Sequence, residues 1–326
     1  MNDRLDPELA AALALIPAGV DPGHQLRDMN VVRLLRSTRD LLAATGGTLP
    51  SDDAVTTEDR EVPGPAGADP VPVRVYTPTG SGGTPAPGVV FFHGGAFVMG
   101  DVYTEELRCL RYAAGAGCVV VSVGYRLAPE HPFPAGVDDC YAALQWTVAH
   151  AAELGVDAGR VGVAGSSAGG ALAAAVALMA RDSGGPALAF QLLNYPVLDD
   201  RMTTPSMRTF DATPLWTSGS TADMWEHYLG ASGQRGEVSP YAAPARAGAL
   251  AGLPPAYVST AELDPLRDEG IDYARRLLES GVRTELHSFP GACHGFDLIA
   301  AASALGRRSL AEQVGALERG LATAPT

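Results

Sequence analysis

The sequence has little cysteine, no long apolar run and no excess of positive charge. Its 326 residues include only four cysteines, and none has the spacing of a zinc site or a redox pair. They are Cys109, Cys118, Cys140 and Cys293. Scattered thiols in so long a chain favour a reducing compartment, so we predict a cytoplasmic protein without a metal site. No run is long enough to cross a bilayer, which argues against stable membrane insertion.

The charge balance of the chain is acidic. Lysine and arginine number 23 against 37 aspartates and glutamates, so the net charge is −14 at pH 7. This sign argues against nucleic acid or an anionic membrane surface as a partner. Asp3, Asp6 and Glu8 also outnumber Arg4 near the start of the chain, which is the wrong charge for a secretory signal peptide. We therefore interpret residues 9–16 as part of an amphipathic helix.

Hydrophobic residues make up 46% of the chain, enough for the core of one large α/β domain. From residue 88 onward, β-branched runs alternate with helical segments, which predicts a mostly parallel sheet covered by helices on both faces. The predicted strands are 88–92, 118–123, 160–164, 188–193, 256–260 and 284–289, after an extended stretch 58–77 and a loose turn 78–87. The predicted helices are 31–44, 105–116, 138–151, 170–181, 266–280 and 304–322. Residues 199–250 interrupt the alternation, as a lid or binding element does.

Gly165-Ser166-Ser167-Ala168-Gly169 lies between a predicted strand and a predicted helix. In that context G-x-S-x-G is typical of a sharp turn that exposes its central serine above the sheet. Small flanking residues are needed because the turn brings backbone segments close together. The N-terminus of the next helix would stabilise developing negative charge. The alternative is a glycine- and serine-rich connection without a catalytic role.

A nucleophilic serine requires a base, an acid that orients the base, and donors for an oxyanion. His294 lies just past the predicted strand 284–289, where sites of α/β proteins form, although a surface histidine in a glycine turn would look the same. The loop donors are expected in His93-Gly94-Gly95-Ala96, which directly follows the predicted strand 88–92. The amide of Ala168, next to the serine, supplies another.

The orienting acid has three candidates after the predicted strand 256–260. Asp264 precedes Pro265, and this pair is also a good N-cap and first residue for the next helix. Asp268 would lie inside that helix and point away from the strand end. Glu262 lies closer to the strand and remains a competitor. The order serine, acid, histidine matches the order expected on an α/β-hydrolase sheet.

These segments together resemble the bacterial hormone-sensitive-lipase-like esterases, family IV of the α/β-hydrolase superfamily. The matching segments are HGGAFVMG at 93–100, YRLAPEHPFPA at 125–135, GSSAGG at 165–170, DPLRDEG at 264–270 and HGF at 294–296. The resemblance implies Ser167 as nucleophile, His294 as base and Asp264, in preference to Glu262, as the orienting acid. It also implies Gly94, Gly95 and Ala168 as oxyanion donors. We expect no metal and no organic cofactor.

The same resemblance implies an α/β-hydrolase core with a helical cap. We assign residues 51–198 and 246–326 to the core, and residues 1–50 and 199–245 to the cap. Candidate substrate-lining side chains are Phe97, Trp216, Met224 and Trp225, although each would also suit ordinary core packing. A homodimer is consistent with the family.

The chain departs from the family pattern at two positions. Ser166 stands where an aspartate is usual, so any acidic contact of that aspartate is lost. Ala96 stands where a third glycine is common. Its side chain narrows the part of the site that would hold the acyl group, but two N–H donors for the oxyanion remain in the loop. The stretch 125–135 reads as structural, with an Arg126–Glu130 pair bracing the site from beneath.

The expected activity is hydrolysis of short- to medium-chain acyl esters through an acyl-enzyme. An amidase or deacetylase would use the same groups, and matched ester and anilide substrates would separate the two. A non-catalytic small-molecule receptor on the same scaffold is the alternative from another class. Loss of the histidine marks such receptors, and His294 is present here.

Overall fold

The computed structural model describes residues 4–16, 26–80, 83–230 and 236–323. Parts of both predicted cap segments, and of the predicted turn 78–87, lie outside these residues. Within them, one sheet has the strand order β1-β2-β4-β3-β5-β6-β7-β8. The strands are β1 (Val55–Val62), β2 (Val71–Pro78), β3 (Ala86–Phe92), β4 (Val119–Val123), β5 (Val156–Ser166), β6 (Phe190–Asn194), β7 (Ala256–Leu263) and β8 (Thr284–Cys293).

The sheet is mostly parallel, as the alternating sequence pattern predicts. β1 pairs with β2 and β2 with β4 in antiparallel fashion, while every pairing from β4 through β3 to β8 is parallel. The central strands are buried along almost all of their length because helices cover both faces, which explains their mostly apolar sequences. The predicted α/β-hydrolase fold is confirmed.

The helices alternate with the strands from β3 onward. In chain order they are α1 (Pro7–Leu13), α2 (Met29–Leu34), α3 (Thr38–Thr45), α4 (Glu106–Ala116), α5 (Ala135–Ala149), α6 (Ala151–Leu154), α7 (Ala168–Asp182), α8 (Pro205–Thr209), α9 (Ser218–Leu229), α10 (Arg267–Glu279), α11 (Phe296–Ile299) and α12 (Ala304–Gly320). The predicted helix 31–44 is in fact two helices, because Ser37 caps α3 through a hydrogen bond to the Asp40 N–H and interrupts the run.

One local prediction is wrong. Arg126 does not pair with Glu130; its guanidinium binds Asp139 on α5 at 2.8 Å, and Glu130 binds Arg36 at 2.6 Å. The predicted helix 266–280 is α10, and its N-cap is Leu266, so Asp264 and Pro265 lie before the cap. The stretch 125–135 nevertheless makes structural contacts, since the Ala128 N–H donates to the Phe97 carbonyl and the Phe133 N–H to the Tyr228 carbonyl.

The two predicted cap segments contact each other beside the carboxyl edge of the sheet. Arg27, just before α2, binds Asp223 on α9, with 2.8 Å between Nε and Oδ1. His227, also on α9, has Nε2 3.0 Å from the Leu26 carbonyl oxygen. The start of α1 lies against the last residues of β8, where the Asp6 N–H donates to the Gly291 carbonyl.

Candidate active site

Ser167 occupies a strained turn between β5 and α7. Its φ of +56° and ψ of −118° lie outside the regions that most non-glycine residues adopt. Its N–H donates to the Asn194 carbonyl at the end of β6, which fixes the turn to the neighbouring strand. A Cβ added at Gly169 would come within 1.9 Å of the Phe92 carbonyl oxygen, and one at Gly165 within 2.2 Å of the Gly169 oxygen. Both glycines are therefore required by close backbone packing.

Strand register brings the histidine and the acid together. Leu263 of β7 pairs with Cys293 of β8, so the next residue on each strand, Asp264 and His294, lie side by side. His294 Nδ1 is 2.7 Å from Asp264 Oδ2, and His294 Nε2 is 2.8 Å from Ser167 Oγ. Asp264 is fully buried, whereas Ser167 and His294 retain 7% and 8% exposure. The three side chains thus form the hydrogen-bonded chain that a serine nucleophile requires.

The two competing carboxylates are engaged elsewhere. Glu262 binds Arg4 and accepts the Gly291 N–H at 2.8 Å. The Gly291 amide and Arg4 hold the pKa of Glu262 below its usual value. Asp268 accepts the Ser206 N–H at 2.7 Å and pairs with Arg267. Neither carboxylate contacts the histidine.

The loop after β3 departs from the donor assignment that the resemblance implies. The Gly94 N–H is not free; it donates to Glu105 Oε1 at 2.8 Å. Among the described residues, the N–H groups of Gly95, Ala96 and Ala168 donate no hydrogen bond. Gly95 has a φ of +125°, and a Cβ there would come within 2.2 Å of the Met99 oxygen, so only glycine fits. The N–H groups of the loop that lack a hydrogen-bond partner among the described residues are therefore those of Gly95 and Ala96, rather than those of Gly94 and Gly95.

Aromatic side chains from the loop after β3 and from α9 pack against one another, and Trp216 reaches the histidine. Phe97 stacks on Tyr228 with ring centroids 3.7 Å apart, and Trp225 lies 6.2 Å from Phe97. Trp216 lies over the His294 ring at 5.5 Å. The four predicted lining residues, Phe97, Trp216, Met224 and Trp225, are all buried in one cluster. Of these four, Trp216 is the one that contacts the proposed base through its ring.

A buried network of charged side chains, which the sequence did not predict, lies beneath the serine. Glu105 precedes α4 and is bound by Arg108, which in turn binds Asp297 on α11. Burial alone would raise the pKa of Asp297, but Arg108 and neighbouring hydroxyl donors hold it below its usual value. The Tyr195 hydroxyl donates to Asp297 at 2.7 Å, and the Tyr195 ring meets His294 edge-on at 5.0 Å. The sequence signal for this network is the spacing of Glu105 and Arg108, three residues apart, but such pairs are common where helices begin.

The part of the chain that the structure describes contains no cluster of three or more histidine, cysteine, aspartate or glutamate side chains placed to hold a metal ion. Over that same part, none of the helices combines the length and the apolar character needed to span a bilayer.

Comparison with known proteins agrees with this geometry. The family profile of the α/β-hydrolase fold matches residues 89–298. Carboxylesterase NlhH of Mycobacterium tuberculosis is 44% identical over 261 residues, 77% of this chain and 80% of that protein. An ethyl acetate hydrolase of Pseudomonas putida is 33% identical over 303 residues, 90% and 92% of the two chains. The solved structure of a bacterial heroin esterase superposes with a TM-score of 0.89 at 46% identity, covering 98% of both chains.

The chain belongs to family IV, the hormone-sensitive-lipase-like esterases of the α/β-hydrolase superfamily. Its relatives are esterases and carboxylesterases, and this member of the family is accordingly a carboxylic ester hydrolase. The recognised family thus agrees with the one that the five sequence segments resemble.

Proposed function

We propose that the family IV chain hydrolyses esters through an acyl-enzyme formed on Ser167. His294 Nε2 takes the hydroxyl proton as Oγ attacks the ester carbonyl, and then returns it to the departing alcohol. A water molecule then attacks the acyl-enzyme while His294 takes its proton, and the proton passes to Ser167 Oγ as the carboxylic acid leaves. Asp264 holds the imidazole in the required tautomer and stabilises its cation. The observation that carries this mechanism is the continuous chain of hydrogen bonds, 2.8 Å from serine to histidine and 2.7 Å from histidine to aspartate.

The oxyanion would be bound by backbone N–H groups of Gly95, Ala96 and Ala168. Support comes from the absence of other hydrogen bonds from these groups among the described residues, and from the position of Ala168 at the N-terminus of α7. This proposal replaces Gly94 with Ala96, because the Gly94 N–H is held by Glu105. Each such donor contributes about 3 kcal/mol to transition-state stabilisation.

Short- to medium-chain acyl esters are the proposed substrates, bound under a cap made of residues 1–50 and 199–245. Support comes from Trp216, whose ring lies over that of His294, and from Phe97 and Trp225, whose rings pack against each other in the same buried cluster. The names of two relatives, an ethyl acetate hydrolase and a heroin esterase, are consistent with small esters. We propose Met224 as a further lining residue because it belongs to the same buried cluster as Phe97, Trp216 and Trp225.

We also propose a cytoplasmic location, supported by four free, buried cysteines. Cell fractionation would test it, with recovery outside the cytoplasm contradicting the proposal. The homodimer implied by the resemblance stays a prediction that sedimentation would check.

The first experiment compares wild type with Ser167→Ala on p-nitrophenyl esters from acetyl to palmitoyl. We expect kcat to fall by about 10⁴-fold or more in the variant, since removal of the nucleophile stops acyl transfer. The chain length at which wild-type kcat/KM peaks measures the acyl pocket, and a peak at acetyl to octanoyl is expected. Undiminished turnover by a folded Ser167→Ala protein would refute the mechanism, and a peak at palmitoyl would refute the substrate class.

A further inference from the structure

Glu105 links two loops that border the proposed nucleophile. One carboxylate oxygen, Oε1, accepts the Gly94 N–H of the loop after β3 at 2.8 Å. The other, Oε2, accepts the hydroxyl of Ser166, the residue before the serine nucleophile, also at 2.8 Å. The side chain is only 2% exposed, so both bonds form away from competing water. A single carboxylate thus fixes the distance between the donor loop and the turn that carries Ser167.

Arg108 holds this carboxylate in place from below. Its Nε lies 2.5 Å from Glu105 Oε2, and its NH2 group lies 3.0 Å from Asp297 Oδ1. Asp297 comes three residues after His294, so the same buried ions also reach the loop that carries the proposed base. Buried charges persist only when they are paired in this way.

The geometry points to Glu105 as a positioning residue for ester hydrolysis, matched to the hydroxyl of Ser166. Its bond to the Gly94 N–H leaves the next two N–H groups of the loop free to face the substrate oxygen. This inference rests on the proposed roles of Ser167 and of the donors at Gly95 and Ala96. Glu105 touches neither substrate nor the reacting atoms; it acts through the placement of the loop.

The pairing also accounts for the unusual residue in the serine turn. The family places an aspartate at position 166, but here that change would put a second carboxylate at hydrogen-bond distance from Glu105. The buried group already contains two carboxylates, Glu105 and Asp297, for the one guanidinium of Arg108. A further negative charge would be unpaired, whereas a serine hydroxyl supplies the donor that Oε2 needs.

Four variants test the inference: Glu105→Gln, Ser166→Asp, the double variant that combines them, and Glu106→Gln as a matched control. Glu106 is a neighbouring buried carboxylate that binds Arg74 and Tyr76 and contacts neither loop. Each protein is assayed for kcat and KM on p-nitrophenyl acetate, for melting temperature, and for inhibition by an aryl trifluoromethyl ketone. That ketone adds reversibly to the serine Oγ, and its oxygen becomes an oxyanion in the donor site.

Glu105→Gln should lower kcat by about 10-fold or more with KM changed less than threefold, because the loop donors act mainly in the transition state. Affinity for the trifluoromethyl ketone should fall by a similar factor. Ser166→Asp should be at least as damaging. In the double variant the glutamine carbonyl still accepts the Gly94 N–H and its amide donates to the new carboxylate, which also replaces Glu105 Oε2 as the acceptor for Arg108, so part of kcat should return. Glu106→Gln should change melting temperature but leave kcat within about twofold.

The outcomes distinguish a failure of the positioning role from a failure of the proposed function. The positioning role would be overturned if Glu105→Gln kept the kcat and the ketone affinity of wild type. It would also be overturned if the losses of kcat in the two single variants simply added in the double variant. If Glu105→Gln does not fold, Ser166→Ala removes one bond only, and unchanged kcat and ketone affinity there would overturn the inference. An inactive wild type, or an active Ser167→Ala, would instead refute the proposed function itself.

Discussion

Asp264 uses its two carboxylate oxygens for different neighbours. Oδ2 lies against His294 Nδ1, while Oδ1 accepts the Leu266 N–H at 2.9 Å in the turn before α10. Asp264 is not the N-cap of α10, which is Leu266, but one carboxylate has enough acceptor sites both for the turn before the helix and for the histidine. The Leu266 bond fixes the rotamer that presents the second oxygen to the histidine, so the local turn supports the site.

Replacement of Asp264 by asparagine should reduce kcat by about 10⁴-fold. The amide carries no negative charge to stabilise the imidazolium, and its NH2 group favours the wrong histidine tautomer. Steady-state assays on p-nitrophenyl acetate measure the loss. Glu262→Gln is the matched control, because Glu262 binds Arg4 and the Gly291 N–H rather than the histidine. A loss in that control as large as in Asp264→Asn would contradict the assignment.

Single residues differ in how far the sequence could predict them. Ser167, Asp264 and His294 each lie in a short motif directly after a strand, which makes them candidates, but only the family resemblance favoured Asp264 over Glu262. The donors are harder, because Gly94 and Gly95 look equivalent until the carboxylate of Glu105, eleven residues further along, engages one of them. Glu105 carries no local signal beyond an acidic residue at a helix start.

At the scale of elements, one buried side chain of α1 packs against β8 and α11, on either side of His294. Leu9 is fully buried in a cluster with Phe289 and Phe296, which flank the loop that carries His294. Leu15, beyond the end of α1, is 84% exposed. The short helix therefore depends on tertiary packing rather than on its own hydrogen bonds.

Leu9→Ala should lower the free energy of unfolding by about 3 kcal/mol, since it leaves a cavity beside the histidine loop. Urea denaturation followed by circular dichroism measures this change. Leu15→Ala is the control and should stay within about 0.5 kcal/mol of wild type. Equal stabilities for the two variants would mean that α1 does not anchor the loop.

The connection between α2 and α3 is tied to the 125–135 stretch by Arg36, which binds the Val98 and Ala128 carbonyls as well as Glu130. The hydrogen bond and charge of Arg36 lower the pKa of Glu130 to about 2. Because the folded pKa lies below the unfolded value, the pair stabilises the fold above about pH 4.5 and loses this effect as pH falls toward 2.

Glu130→Gln should therefore flatten the dependence of stability on pH between about 5 and 2. The Glu130 side chain is 40% exposed, so solvent screening limits the difference to about 1 kcal/mol or less at pH 7. Urea midpoints at several pH values measure it. A variant whose pH profile parallels that of wild type throughout this range would show that Arg36 does not stabilise the ionised carboxylate.

For the whole molecule, the sheet order decides which loops meet. The site segments follow β3, β5, β7 and β8, and these strands, with β6, are consecutive neighbours in the parallel part of the sheet. Their carboxyl ends therefore open on the same edge. The sequence could predict that each site segment follows a strand. The observed strand order also requires β4 to lie outside β3, and β1 and β2 to be antiparallel. Strand order of this kind leaves no local pattern in the sequence.

The net charge of −14 acts on the whole molecule and predicts a preference among substrates of equal shape. A negative field raises the local concentration of a cationic ester but leaves a neutral one unaffected. The ratio of kcat/KM for acetylthiocholine to that for its neutral isostere, 3,3-dimethylbutyl thioacetate, should therefore fall as salt is added. Between about 0.01 M and 1 M NaCl the screening length shrinks from about 30 Å to about 3 Å. We expect a decrease of about threefold or more.

The neutral isostere serves as the internal control, because salt effects on folding, the cap or the chemical step change both substrates alike and cancel in the ratio. An anionic acetyl ester of similar size should show the opposite trend, with kcat/KM rising as salt screens the repulsion. A ratio that does not depend on salt would mean that the acidic surface lies too far from Ser167 to influence substrate capture. The excess of acidic residues would then contribute to solubility alone.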